Sequence, residues 1–377
     1  MVAKAILVAS QPVTQDSGTS VLPGCLELLV DRPCLQHVVE QLALGGVREI
    51  DVIAGAGADA IEQQLGGGER WGVKVTHHRT DGALPAEGAL SHLLEETDVL
   101  LADARVLVAA DSWRGGATDG TALELLQFSR ETQAGNELEW TGWARGRGDV
   151  IANAVQSRPG GGLLESLIEL SGGSVASVQC PALAVRDAFE LLEANRSVLS
   201  GRAPFVSLHG RAEPPGLWRE RGVRIHPSAR IIEPVYLGEH TRIGRDAVVG
   251  PNAVLGAGCV VDDSAVARNC VITSATYIQP GAHCEGIVGL HSGVYCTAPG
   301  DPAHPQIARA LVDLRSISLF EGILTILTAW ILQLVDFVTW PIRAARAEAE
   351  HLGTLQLELP NVAASVFDDN HGAALPN

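Results

Sequence analysis

The chain has 377 residues, 46% of them hydrophobic, and a formal net charge of −17. That length suggests two or three domains, and the apolar content excludes a disordered chain. The acid excess excludes a protein that tracks a phosphate backbone with a basic face, so no nucleic-acid partner is expected; it leaves open small phosphorylated ligands, which a few amides and one cation can hold.

The first residues carry one lysine and an apolar run too short for a secretory h-region, and they read as a strand over 5–9. Residues 34–44 have helical spacing, with Leu35, Val38, Val39 and Leu42 on one face and Gly45-Gly46 as a stop. A strand over 50–54, a helix over 58–65, and strands over 73–76 and 98–102 follow. Alternating strands and helices predict a largely parallel α/β sheet, whose ligands bind outside the carboxyl ends of the strands.

From Val223 the pattern changes. Ile225, Ile231, Leu237, Ile243, Val249, Leu255 and Val261 recur every six residues. A second column, two positions earlier, is mostly small: Val223, Ala229, Val235, Thr241, Ala247, Ala253, Cys259 and Ala265. This is the hexapeptide pattern of a parallel β-helix, in which each unit makes one side of a coil and turns its aliphatic residue inward. It weakens after Val266 and continues through Ile272 and Ile278.

A strongly apolar segment begins at Ile317 and ends at Ile342, followed by Arg343 and Arg346. Glu321 and Asp336 on one helical face make a simple spanning helix costly. The wide apolar face suits a membrane surface, packing on the β-helix or a subunit contact. The expected domains are 1–215, 216–298 and 299–377. Seven cysteines without a C-x-x-C pair are read as small buried residues of a reducing compartment.

The N-terminal stretch resembles the sugar-1-phosphate nucleotidyltransferases, such as mannose-1-phosphate guanylyltransferase. Leu7-Val8-Ala9, Pro23, Pro33-Cys34-Leu35-Gln36-His37 and Gly46-Val47-Arg48-Glu49-Ile50 fall on the family's frame. So do Gly88-Ala89-Leu90, Leu100-Leu101-Ala102-Asp103, the helix with Glu193-Ala194-Asn195-Arg196, and Ile225-His226-Pro227-Ser228-Ala229. The resemblance covers residues 3–290. It implies a Rossmann-like α/β nucleotidyltransferase domain, then a left-handed parallel β-helix and an apolar helix. It implies NDP-sugar synthesis for envelope or exported polysaccharide, from a nucleoside triphosphate and a sugar 1-phosphate with Mg²⁺. The implied nucleotide-binding positions are Ala9, Ser10, Gly88 and Arg158, and the implied metal ligand is Asp103. A homo-oligomer or an active paralogue is the implied protein partner. The implied location is the cytoplasm, with the segment from Ile317 to Ile342 reaching the inner face of the membrane.

The departures fall on the chemistry. Ser10, Pro12, Val13 and Thr14 replace the family's glycines and arginine, Gly24 its lysine, Ser157-Arg158 its Glu-Lys, and Ala184 its second metal-binding aspartate. Catalysis of this kind is positioning and charge neutralisation, so weak or lost activity is expected. The alternative is a non-catalytic regulatory or scaffolding subunit that binds an NDP-sugar or the active paralogue. A β-helix acyltransferase is a third reading, with His226, His240, His283 and His291 as candidate bases. Asp103 also reads as a solvated carboxylate at a strand end. Glu87 stands where the family has a small residue and would block the base pocket. Gly160-Gly161-Gly162 reads as a phosphate turn or a flexible loop. Trp140, Trp143, Arg145 and Arg147 read as a stacking platform or a loop packed on the core. His77-His78 has no ligand cluster beside it in sequence.

Overall fold

The computed structural model describes residues 2–9, 24–55, 57–80, 88–96, 98–114, 122–132, 135–157, 163–213, 216–290, 293–296 and 311–313. The described residues belong to one compact unit, Met1–Leu314; residues 315–377, with the apolar segment, lie outside the described residues.

The central strand is β1 (Lys4–Val8). A short hairpin of β2 (Leu28–Leu29) and β3 (Arg32–Pro33) leads into α1 (Cys34–Leu44). Gly46 stops α1: at φ 102° it lets Val47 N donate to Leu42 O and its own N–H to Ala43 O, which satisfies the last carbonyls. Next come β4 (Glu49–Ala54), α2 (Ala58–Leu65), β5 (Lys74–Arg79), β6 (Val99–Asp103) and β7 (Val106–Val108). The helical turn α3 (Asp111–Arg114), the long strands β8 (Leu123–Thr132) and β9 (Gly135–Gly146), and the helices α4 (Gly148–Ser157) and α5 (Leu163–Leu170) follow. β10 (Val175–Gln179), β11 (Ala182–Ala184) and α6 (Ala188–Leu199) complete this part.

The main sheet runs β10-β8-β9-β6-β1-β4-β5. Its β6, β1, β4 and β5 are parallel, as the alternation of elements predicts. Both faces of β6, β1 and β4 are covered, which is why they read as largely apolar runs, whereas the edge strand β5 alternates buried and exposed residues. Ala5, Leu7, Ile50, Val52, Leu100 and Ala102 enter one core with α1, and Ile6, Ile53, Val99 and Leu101 enter another with α4 and α5. The parallel pattern breaks at β9, which runs antiparallel to both β6 and β8. Two residues separate β8 from β9 in sequence, and so short a connection permits only antiparallel pairing.

From residue 217 onward the strands form three sheets visited in turn. Successive strands pair in parallel with the third strand after them, eighteen residues along: Arg224 with Arg242, Arg230 with Val248, Val235 with Ala253; at the far end Ile287–Leu290 and Thr276–Ile278 pair antiparallel with Gly293–Cys296 and Leu311–Asp313. The offset falls to seventeen at Ala253 with Cys270 and Val261 with Ile278, so the corner between Ala267 and Cys270 is one residue shorter. That is where the six-residue spacing weakens. Leu237, Ile243, Val249, Leu255 and Val261 point into a shared apolar core with Ala247, Ala253, Cys259 and Ala265.

The sheet holding Val235–Leu237, Ala253–Leu255, Cys270–Ile272 and Ile287–Leu290 is also apolar on its outer side. There Tyr236, Val254, Val271 and Val288 join the core of the α/β part beside α6. Outward positions on the other two sheets hold Arg224, Arg242, Arg230, Val248 and Val266, none fully buried. Among the described residues no helix is long and apolar enough to cross a membrane.

Candidate functional site

The chain leaves β1 for β4 and β5 on one side, then returns to place β6 on the other, so the strand order reverses between β1 and β6. In open α/β sheets the crevice at such a reversal, beyond the carboxyl ends of the strands, is where ligands sit. Val8 and Asp103 are register partners at that end. Ala9 follows Val8, is 1% exposed, and donates its N–H to Ile53 O at 2.9 Å.

Asp103 is half-buried, and its oxygens are engaged by one residue. Arg105 donates its backbone N–H to Oδ1 at 2.8 Å, its Nε–H to Oδ1 at 3.2 Å and its Nη2–H to Oδ2 at 2.9 Å. Charge-assisted contacts of this fork type are strong and geometrically fixed. Behind the carboxylate runs Gly142, at φ 81°, where a Cβ would meet the Asp103 Cβ at 2.7 Å. Glycine is therefore required there twice, for its backbone angle and for space. The neighbouring Trp143 donates its indole N–H to Val106 O at 2.8 Å and lies 3.3 Å from Asp103 O.

Two further groups sit near this end. Burial pushes the Cys25 thiol up to about 12, with the Asp103 charge adding to the effect and Arg105 opposing it. Glu27 is 2% exposed, neither carboxylate oxygen has a hydrogen-bond partner, and burial pushes it up to about 7. A lone carboxylate in apolar surroundings is costly to ionise.

Of the other expected positions, Gly88 takes φ 78° at a turn closed by Ser91 N donating to Gly88 O at 3.0 Å. Ser10, Glu87, Arg158, Gly160-Gly161-Gly162 and His291 lie outside the described residues. Ala184 is buried on β11, opposite Val106 of β7, and supplies no carboxylate. Mg²⁺ of the kind the resemblance implies therefore does not fit the described residues here. Asp103 is held by a guanidinium, no second acid stands at Ala184, and among the described residues no group of three metal-ligating side chains occurs.

Within the aromatic-basic stretch Trp143 and Arg145 are packing, while Arg147 is exposed and pairs with Asp149. Trp143 is fully buried with its ring 5.0 Å from that of Trp113, and Arg145 forms a buried ion pair with Glu124. The candidate bases of the acyltransferase reading sit on surface turns and strands. His226 Nδ1 lies 2.8 Å from Ser228 Oγ, His283 Nε2 lies 3.1 Å from Glu285, and His240 is a corner residue at φ 58°. His77 approaches the Gly66 carbonyl at 2.9 Å, while His78 and His92 share the buried Asp51 carboxylate at 2.6 and 3.0 Å.

Arg105, Gly142 and Glu27 were not singled out in the sequence. The two-residue spacing of Asp103 and Arg105 at a strand end, and one acid inside the apolar run of residues 25–30, were the available signals.

No family model matches the chain, and no curated protein matches it. Among solved structures it is similar to one from Bacillus anthracis, assigned as a glucose-1-phosphate thymidylyltransferase and crystallised with sucrose. Identity is 15%, coverage is 55% of this chain and 98% of that one, and the TM-score is 0.46. A likeness of that size carries no argument about what this chain does.

Proposed function

We propose that the α/β part is a sugar-1-phosphate nucleotidyltransferase-type domain that binds an NDP-sugar and has lost most or all of its pyrophosphorylase chemistry. In this reading it serves as a regulatory or scaffolding subunit in the supply of nucleotide sugars for envelope or exported polysaccharide. One observation carries it: at the β1/β6 reversal, where ligands of such sheets sit, the one carboxylate on the metal-binding frame is already neutralised by Arg105. In this reading a nucleotide sits in the crevice while its acid is spent on an internal ion pair. Gly24 and Ala184, where a cation and a second acid would act, point the same way.

The three parallel sheets close into a left-handed β-helix and present a surface to a second copy or to an active paralogue. The protein works in the cytoplasm, with the segment from Ile317 to Ile342 seated on the inner membrane face or on that partner.

The test is calorimetric titration of the purified chain with GTP, UTP, dTTP and their NDP-sugars, with and without Mg²⁺. Binding of one NDP-sugar that is indifferent to Mg²⁺, without turnover, is the expected outcome. NDP-sugar synthesis that depends on Mg²⁺ and vanishes in Asp103→Ala would overturn the loss of catalysis. Absence of binding to every nucleotide would overturn the ligand.

A further inference from the structure

One outer face of the coil is covered: its Tyr236, Val254, Val271 and Val288 lie in the core of the α/β part. A second outer face repeats part of that apolar pattern. Its strands are Arg230–Ile231, Val248–Val249, Val266–Arg268 and His283–Glu285, paired in parallel in that order. Ile231, Val249, Ala267 and Cys284 turn into the coil core, so Arg230, Val248, Val266 and His283 stand in one outward column. Val248 and Val266 are half-buried and belong to none of the three apolar cores of the described residues.

The two ends of this face carry opposite charge. Arg230 is exposed and forms no ion pair among the described residues. At the other end Glu285 has the His283 imidazole 3.1 Å away, with the two side chains 50% and 61% exposed. A contact so exposed is worth little and leaves the carboxylate available. Between the ends, Arg268 is the register partner of Glu285, and its buried Nε has no hydrogen-bond partner. Gly250, at φ 93°, follows Val249 and adds no side chain beside that strand. A face that is basic at one end, apolar in the middle and acidic at the other is complementary to itself when turned end for end.

We propose that this face docks a second copy of the chain, the two related by a two-fold axis that runs along the strands. The first strand of each copy then lies over the fourth of the other, and the second over the third. That sets Arg230 against Glu285 twice, packs Val248 on Val266 twice, and gives Arg268 the space above Gly250. Such a dimer presupposes that the coil presents a surface to a partner, as proposed above, and commits that surface to one sheet and one occupant. The remaining sheet is less suited. Arg224 and Arg242 occupy successive outward positions there, and Asp262 is held by the Tyr277 hydroxyl. Four strands about 4.8 Å apart, on a side about six residues long, give roughly 400 Å² per copy. That is the low end of specific interfaces, so the dimer is expected at roughly tens of micromolar.

Sedimentation velocity of the full chain from about 1 to about 200 µM spans that range. The 39.6 kDa monomer should give way to a species of twice its mass as concentration rises. Arg230→Glu alone and Glu285→Arg alone should each weaken association about tenfold or more, because each sets like charges together at both ends. Both positions are exposed, so the melting temperature of the dilute chain should not change. An equimolar mixture of the two single variants should associate as well as the native chain, since each copy then meets opposite charge on the other. A chain that stays monomeric throughout overturns the proposal and leaves the coil to a different partner. A dimer indifferent to both reversals overturns it and moves the contact to another face. A mixture no tighter than its components also overturns it. The NDP-sugar titration reads the crevice separately and is unaffected by any of these outcomes.

Discussion

Asp103 and Arg105, two residues apart at the end of β6, form a closed ion pair in which a single guanidinium and its own backbone N–H occupy the carboxylate. The side chains are 21% and 11% exposed, so the pair is partly shielded from water. Removing the carboxylate's charge leaves the guanidinium without its counter-ion. Asp103→Asn should therefore cost about 1–3 kcal/mol of stability, the scale for losing a charged hydrogen-bond partner in a partly buried site. Urea denaturation reads that loss. In the same variant NDP-sugar affinity should change less than about twofold, well under the 1.4 kcal/mol that a tenfold change represents. Unaltered stability with a tenfold loss of Mg²⁺-dependent nucleotide binding would instead make Asp103 a ligand of the metal.

Glu27 makes stability depend on pH in an uncommon direction. Its folded pKa is raised by burial from the ordinary 4.5 to about 7. Between those values the native state holds a proton that the unfolded state has released. Stability is therefore full below pH 4.5 and falls as pH rises through 7. The loss by pH 8 is on the order of 3 kcal/mol from this group. Urea midpoints at pH 5, 6, 7 and 8 should decline for the native chain, and Glu27→Gln should remove most of that decline. A midpoint that rises over this window through both proteins would show that other groups dominate.

How much of this could be read from the sequence follows from which forces are local. The helix Cys34–Leu44 was legible to the residue because its apolar face and its glycine stop agree, and Ala58–Leu65 likewise. The column from Ile225 to Val261 was legible because each residue occupies an equivalent position on one of three sheets. The β8–β9 hairpin was not, because Trp140 to Arg147 mixes rings and charges. Only the tertiary packing of Trp143 on Trp113, and the Arg145–Glu124 pair, turns that mixture into a strand. At the site, the frame placed Asp103 at the end of β6, but its engagement by Arg105 depends on how the chain turns after that strand.

Asn195 offers a test of how α6 is locked to the β2–β3 hairpin. Its Oδ1 accepts from Val30 N at 2.7 Å, and its Nδ2 donates to Leu191 O at 2.7 Å and Leu28 O at 3.2 Å. The residue is 1% exposed, and Val30 is held at φ 59°, where a β-branched residue is strained. Asn195→Ala orphans a buried donor and should cost about 2–4 kcal/mol. Asn195→Asp should cost more at pH 8, because it turns a carboxylate toward two carbonyl oxygens. Thermal melts of the two variants at that pH give the order; a milder loss for Asp than for Ala would mean the Nδ2 contacts contribute little.

The outer face of one sheet separates from the outer faces of the other two by burial alone, and that difference can be measured. Val271 is 1% exposed and shares the core of the α/β part with Val254, Val288 and α6. Val248 has the same outward orientation on another sheet but is only half-buried. An aspartate at Val271 would place an unpaired carboxylate in an apolar core and should cost about 3–5 kcal/mol. The same change at Val248 leaves the carboxylate within reach of water and should cost within about 1 kcal/mol. At about 2–4 °C per kcal/mol for a chain of this size, the melting points of the two variants should differ by roughly 10 °C. Equal shifts would mean that the coil does not lean on α6 through this column, and that the two parts are held together elsewhere.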